Sequence, residues 1–221
     1  MSYVYNDLAE VMTLDDLSKR RRRDIYTTFW NSGLHGQDWP CDVFCIATCR
    51  MDDDKSRFVT KNNPDWGHAE TIMVDYLRDM LHEGSLDWDQ TMTLYLNYSP
   101  CRHCSDVIAE FLEEDLYSYD VSLDVVVAGL YQIIRPSCRS SPDHVYHQFP
   151  SWGKHWVQTT GLQNLDQAGV GLRTINSQGR QDWNTLAKHV LGVKGFQYKG
   201  SNRQQEDWKL DSDLDEILGY N

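Results

Sequence analysis

His68 and Glu70 stand two positions apart, and Pro100-Cys101-Arg102-His103-Cys104 follows further along the chain. Together they spell H-x-E … P-C-x-x-C. One imidazole and two thiolates supply three ligands of a tetrahedral zinc ion and leave the fourth position open for water, as catalytic zinc requires. Water held there falls in pKa from about 15.7 towards 7 and attacks near neutral pH. The pattern implies hydrolytic removal of an amino group from a nucleobase. Attack falls at C4 of cytosine, Glu70 carries the water proton to ring N3, and the amino group leaves as ammonia. A C-x-x-C alone would equally suit a redox pair or half a structural zinc site, so the reading rests on the conjunction. The bland alternative is a closed, non-catalytic site completed by Cys41, Cys45, Cys49 or Cys138.

Two helices must present these groups. Pro100 suits a first helical position, having no N–H to leave unpaired. Beyond it Val107, Ile108, Phe111 and Leu112 fall at helical spacing. Cys101 and Cys104 are three apart and share a face of the first turn, where the positive end of the helix dipole favours thiolate. His68 likewise opens a segment with Ile72, Met73, Tyr76, Leu77, Met80 and Leu81 on one face. Both helix N-termini therefore aim at a common point.

Around them the sequence predicts a helix over 14–30, strands over 43–50 and 57–60 flanking the turn Asp52-Asp53-Asp54-Lys55, and strands over 92–96, 123–128 and 169–175. Further helices fall at 162–168, 183–191 and 204–218, and a long connection runs over 131–159. The alternation argues for one α/β domain with a largely parallel mixed sheet. No apolar run reaches the roughly 18 residues of a membrane span, and the first residues lack the basic start and apolar stretch of a signal peptide. Six cysteines in 221 residues, two of them zinc ligands, suit a reduced protein of the cytoplasm or nucleus.

Tyr98-Ser99-Pro100-Cys101-Arg102-His103-Cys104, Ala128-Gly129-Leu130-Tyr131 and Gly161 to Leu172 resemble the S-W-S-P-C-x-x-C, A-R-L-Y and G-L-x-x-L-x-x-A-G-V segments of the AID/APOBEC polynucleotide cytidine deaminases. The G-V-G-L run looks most like the lamprey antigen-receptor cytidine deaminases. The resemblance covers roughly residues 14–191. It implies a cytidine-deaminase-like fold, a five-stranded mixed sheet flanked by about six helices. It implies a Zn2+ cofactor and action on cytosine in single-stranded DNA or RNA, in immune-receptor diversification or antiviral mutation. By position it makes His68, Cys101 and Cys104 the zinc ligands and Glu70 the proton shuttle. It makes Asn63 (or Asn62), Ala69, Tyr98, Ser99 and Tyr131 substrate contacts. Trp66, with Trp39, is a rim aromatic able to stack a base. Bland roles stand beside these: Tyr98 and Tyr131 as core aromatics, Asn63 as a turn former beside Pro64.

Charge points the other way. The net charge is −12, whereas nucleic-acid binders carry a basic footprint. Glu206, Asp207, Asp211, Asp213, Asp215 and Glu216 against Lys209 make the tail acidic. The one dense basic run, Lys19-Arg20-Arg21-Arg22-Arg23, reads as a phosphate patch, a nuclear-localisation signal or a solvated helix face. The segment after Tyr131 departs most from the family. Its His144, His147 and His155 read as surface or turn histidines rather than a second metal centre. That insertion and the acidic tail are the candidate surfaces for a protein partner. Two further functions stay open: a free cytidine or deoxycytidine deaminase, and a non-catalytic zinc-containing binding protein.

Overall fold

The computed structural model describes residues 11–34, 42–51, 54–86, 90–138, 151–175, 183–194 and 201–220. Cys41, Trp39, His144, His147 and the rest of residues 139–150 of the expected insertion lie outside these residues.

Six strands form one sheet: β1 (Met12–Thr13), β2 (Phe44–Met51), β3 (Asp54–Lys61), β4 (Thr91–Leu96), β5 (Ser122–Val127) and β6 (Gly171–Thr174), in the order β1-β3-β2-β4-β5-β6. Five were expected; the sixth, β1, is two residues pairing with Phe58 and Val59 on the edge, too short to show a period. The sheet is mixed, but not largely parallel. β2 and β3 form an antiparallel hairpin running from Phe44↔Lys61 to Met51↔Asp54, and β4 pairs antiparallel with β2. Only β4–β5 and β5–β6 pair parallel; α2 likewise carries the chain from β3 to a β4 that runs the same way, but β2 lies between the two.

Side-chain alternation makes two cores. Cys45, Ala47, Leu94, Leu96, Val125 and Val127 point to one face. That face is covered by α2 (Ala69–His82), by α3 (Arg102–Glu110) with its π-helical continuation Phe111–Leu116, and by α4 (Trp152–Gln167). Phe44, Ile46, Tyr95, Val126 and Ala128 point to the other, covered by α1 (Lys19–Asn31) and the π-helical α5 (Thr185–Val190). The last helix, α6 (Ser201–Leu218), passes the β6 edge, burying Leu210, Leu214 and Ile217 in the first core.

Two helix boundaries differ from expectation. The helix expected from residue 14 begins at Lys19, where Ser18 Oγ accepts the Arg21 N–H at 3.3 Å; Leu14–Asp16 is a separate 3-10 turn. The helix expected over 162–168 begins at Trp152, capped by Ser151 Oγ. The connection after Tyr131 is correspondingly shorter. His155 is a buried helix residue whose Nδ1 accepts the Ile134 N–H at 3.2 Å, not a surface histidine. No helix among the described residues is long and apolar enough to cross a membrane.

Candidate active site

His68 is the N-cap residue of α2 and Cys101 the N-cap residue of α3. Pro100 therefore stands just before the cap rather than at the first helical position. N-cap side chains ordinarily accept an N–H from the first turn; neither of these does, which leaves both for another task. The deficit at α3 is met from outside: Gln158 Oε1, on α4, accepts the Arg102 N–H at 2.7 Å. Gly161 lets α4 come this close, since a Cβ there would lie 2.9 Å from Arg102 Cα.

The three ligand atoms meet. His68 Nδ1 lies 3.2 Å from Cys104 Sγ and 3.4 Å from Cys101 Sγ, and the two sulfurs are 3.5 Å apart. Tetrahedral zinc, at about 2.3 Å from sulfur and 2.0–2.1 Å from nitrogen, separates such ligands by about 3.6–3.8 Å. The triangle is a few tenths of an ångström tighter than that, and its donor set is the one zinc takes. Among the described residues no other trio of His, Cys, Asp or Glu side chains is placed to hold a metal. Cys45 and Cys49 are buried and lie outside the triangle, so neither closes it.

Glu70, in the first turn of α2, is 3% exposed, and its Oε2 has no hydrogen-bond partner among the described residues. Burial raises its pKa from the ordinary 4.5 to about 7. The Cys101 thiol is pulled down to about 5, first by its contact with Cys104 and then by His68, while the same contact and burial push Cys104 up. The centre thus collects one acidic thiol, one imidazole and a carboxyl poised near neutrality beneath two helix N-termini.

The other expected contacts are placed unevenly. Ala69 is fully buried at the start of α2. Ser99 is buried, its Oγ accepting the Tyr131 N–H at 2.8 Å and its own N–H donating to Gly129 O at 2.7 Å. It ties the end of β4 to the end of β5. Tyr131 lies beside the centre: burial raises its phenol pKa, and Cys101, Glu70 and Cys104 add to the rise. Tyr98 is buried, its hydroxyl accepting the Gly33 N–H at 3.1 Å; it fills the wall behind the site. Asn63 closes a tight turn with Gly67, its Oδ1 accepting the Asp65 N–H at 2.8 Å, which leaves its amide nitrogen to offer. Asn62 is engaged with the Val43 N–H. Trp66, 67% exposed, rides that same turn immediately before His68.

Arg20, Arg21, Arg22 and Arg23 are not brought to this group. The end of α1 near Tyr98 is its C-terminus, where Gly33 packs on Gly129. The arginines start the helix, about 15 Å away at 1.5 Å per residue, across the sheet from α2 and α3. Arg22 reaches Asp15 at 3.9 Å instead.

One functional brace was missed. Arg203, 3% exposed, donates to the carbonyls of Trp30, Ser32 and Ala128 at 2.9, 2.6 and 3.0 Å and pairs with Asp207 at 2.7 Å. It fixes the backbone directly behind Gly129 and Tyr131. The acidic tail faces inward too: Asp213 and Glu206 hold Arg135 at 2.6 and 3.2 Å, Asp207 accepts the Trp183 Nε1–H, and Asp211 accepts the Thr174 hydroxyl. No sequence signal marks these inward carboxylates, because a lone arginine in an acidic stretch looks solvated.

The family model described as "APOBEC3, cytosine deaminase domain" matches residues 37–148, a stretch holding His68, Glu70, Cys101 and Cys104. The chain is also similar to the DNA dC->dU-editing enzyme APOBEC-3Ca of Felis catus, 26% identical over 170 residues, which is 76% of this chain and 73% of the cat protein.

Proposed function

This chain belongs to the APOBEC3 cytosine deaminase domain family, and from that membership we propose that it hydrolyses cytosine to uracil in single-stranded DNA, with Zn2+ held by His68, Cys101 and Cys104. The observation that carries the reading is the buried, half-unpartnered carboxyl of Glu70 beside the imidazole–thiol triangle. The similarity to a DNA-editing enzyme supports the choice of DNA.

Zinc, when bound, supplies an open coordination position and acidifies the water held there. Glu70 takes the proton of the attacking water and delivers it to N3 of the pyrimidine. Glu70 then takes the second proton from the hydroxyl now on C4 and passes it to the amino nitrogen as the C4–N4 bond breaks, so the carbonyl forms and ammonia leaves. A pKa of about 7 suits a group that must both accept and return a proton near neutral pH. Tyr131 stays a neutral phenol able to pack on the base. Trp66 offers a neighbouring base a stacking surface, and the Asn63 amide nitrogen can donate to the nucleotide. Four carboxylates of α6 (Glu206, Asp207, Asp211 and Asp213) are turned to internal partners while Asp215 and Glu216 stay exposed, which leaves the strand less acidic surface to overcome than −12 suggests.

The test is turnover of an oligonucleotide bearing one cytosine and, separately, of free cytidine, by the wild type and Glu70→Gln. Glu70→Gln retains zinc by elemental analysis and loses about 10²–10⁴-fold in oligonucleotide turnover. Turnover of cytidine alone refutes the substrate class. Metal-free wild-type protein with full turnover refutes the mechanism.

A further inference from the structure

At the end of the sheet remote from the ligand triangle, an open hollow of about 720 Å3 lies between the sheet and α5. Its walls are Thr48 and Arg50 of β2, Lys55 and Arg57 of β3, Thr93 of β4 and His189 of α5, and among the described residues no carboxylate lines it. That is a local reversal of sign in a chain with 33 Asp and Glu against 21 Lys and Arg. The alternation of β2 explains the hollow: Phe44 and Ile46 are buried under the helices, and the same face continues as Thr48 and then Arg50 where that cover ends.

Arg57 is already engaged, donating to the carbonyls of His189 and Val190 at 3.2 and 3.1 Å and pairing with Asp15 at 2.5 Å. Arg50 and Lys55 are not. Both are exposed, and neither has an ion-pair partner among the described residues. They are register partners in the β2–β3 hairpin, and like charges directly opposite each other on a sheet repel. An anion between them removes that repulsion. Asp15 links Arg57 to Arg22 at 3.9 Å, so the arginine run of α1 adjoins the same edge.

We propose that this hollow is a phosphate-binding groove that takes either the backbone of a single strand or a free polyphosphate. Arg50 and Lys55 supply the charge, and the threonine hydroxyls are donors. At about 3.3 Å per strand residue, Thr93 and Ser99 are about 20 Å apart. The groove is therefore separate from the deamination centre and does not depend on that reading.

The probe is a fluorescent oligothymidylate, which carries no cytosine, titrated by anisotropy over a salt series against wild type and Arg50→Gln/Lys55→Gln. A pyrophosphate melting-temperature shift is read on both proteins. Loss of two phosphate contacts lowers the slope of log affinity against log salt by about 1.4 and weakens low-salt binding on the order of tenfold. That result assigns the groove to strand backbone. A pyrophosphate shift lost in the variant, with oligothymidylate binding unchanged, assigns it to free polyphosphate. Equal affinity and slope in both proteins, with no pyrophosphate shift in the wild type, overturns the proposal. Arg50→Glu guards against a folding artefact: it replaces the repelling pair with an attractive one, so it keeps or raises the melting temperature while losing the ligand. Turnover of a short cytosine oligonucleotide, read separately, reports on the other site.

Discussion

Replacing Glu70 by Gln in chelator-stripped protein should change how stability depends on pH. In the native metal-free protein the carboxyl has a pKa of about 7, raised by burial from 4.5. Below pH 4.5 the group is protonated in both native and unfolded chains and has no effect on the balance. As pH rises from 4.5 to 7, the unfolded chain releases the proton while the native chain retains it, so unfolding becomes easier. Above 7 both are ionised and the loss is complete. The shift of about 2.5 units, at 1.36 kcal/mol each, is worth about 3 kcal/mol. Glutamine has nothing to ionise, so the variant keeps what the wild type loses. A buried carboxamide carries a desolvation cost of its own, of about 1–3 kcal/mol, but that cost does not vary with pH. Urea unfolding of both proteins at pH 4.5, 6 and 8 measures the difference. The variant should gain about 3 kcal/mol on the wild type between the lowest and highest pH. A difference independent of pH, or one that shrinks as pH rises, refutes the account of a desolvated carboxyl.

Arg203→Met leaves Asp207 buried without its cation and three carbonyls without their donor, and should cost about 3–5 kcal/mol by denaturant titration; a cost under 1 kcal/mol removes the brace from the account. Gly161→Ala forces α4 away from Arg102, at about 1–3 kcal/mol of overpacking, and should weaken zinc retention in a competition with a chromogenic chelator, whereas unchanged retention means the α3 cap does not depend on α4. In stripped protein at pH 6, Cys101 should alkylate with iodoacetamide well before Cys45, whose thiol is pushed up by burial and by Glu70. Peptide mass spectrometry gives the order, and equal rates would contradict the acidic thiol.

The chemistry was legible because its parts sit at helix starts, where residue spacing alone dictates direction. His68 and Glu70, and Cys101 and Cys104, needed only the 3.6-residue period to be aimed together. The β2, β4 and β5 strands were legible through their alternation. What long-range contacts decide was not. Strand direction depended on the β2–β3 hairpin rather than on the sequence of element types. The start of α4 was hidden because its polarity is inverted: His155, Gln158 and Thr159 are buried, while Trp152, Trp156 and Val157 face solvent. An apolar-periodicity reading therefore finds no helix there. Arg20 to Arg23 were legible as charge alone: only the fold shows that the run starts α1, at the end away from Tyr98. Tyr98 and Ser99, expected as substrate contacts, lie at the end of β4 next to Cys101, with their hydroxyls bonded to the backbone N–H groups of Gly33 and Tyr131.

The Arg203 brace sets an order of events during synthesis. Every ligand and the proton carrier have been joined to the chain once Tyr131 has been added, yet the guanidinium that gathers the carbonyls of Trp30, Ser32 and Ala128 is still seventy-two residues away. A growing chain at that stage owns a full set of reactive groups on a frame that nothing has locked. A braced deamination centre then arrives late in translation, and a product cut short before α6 lacks it.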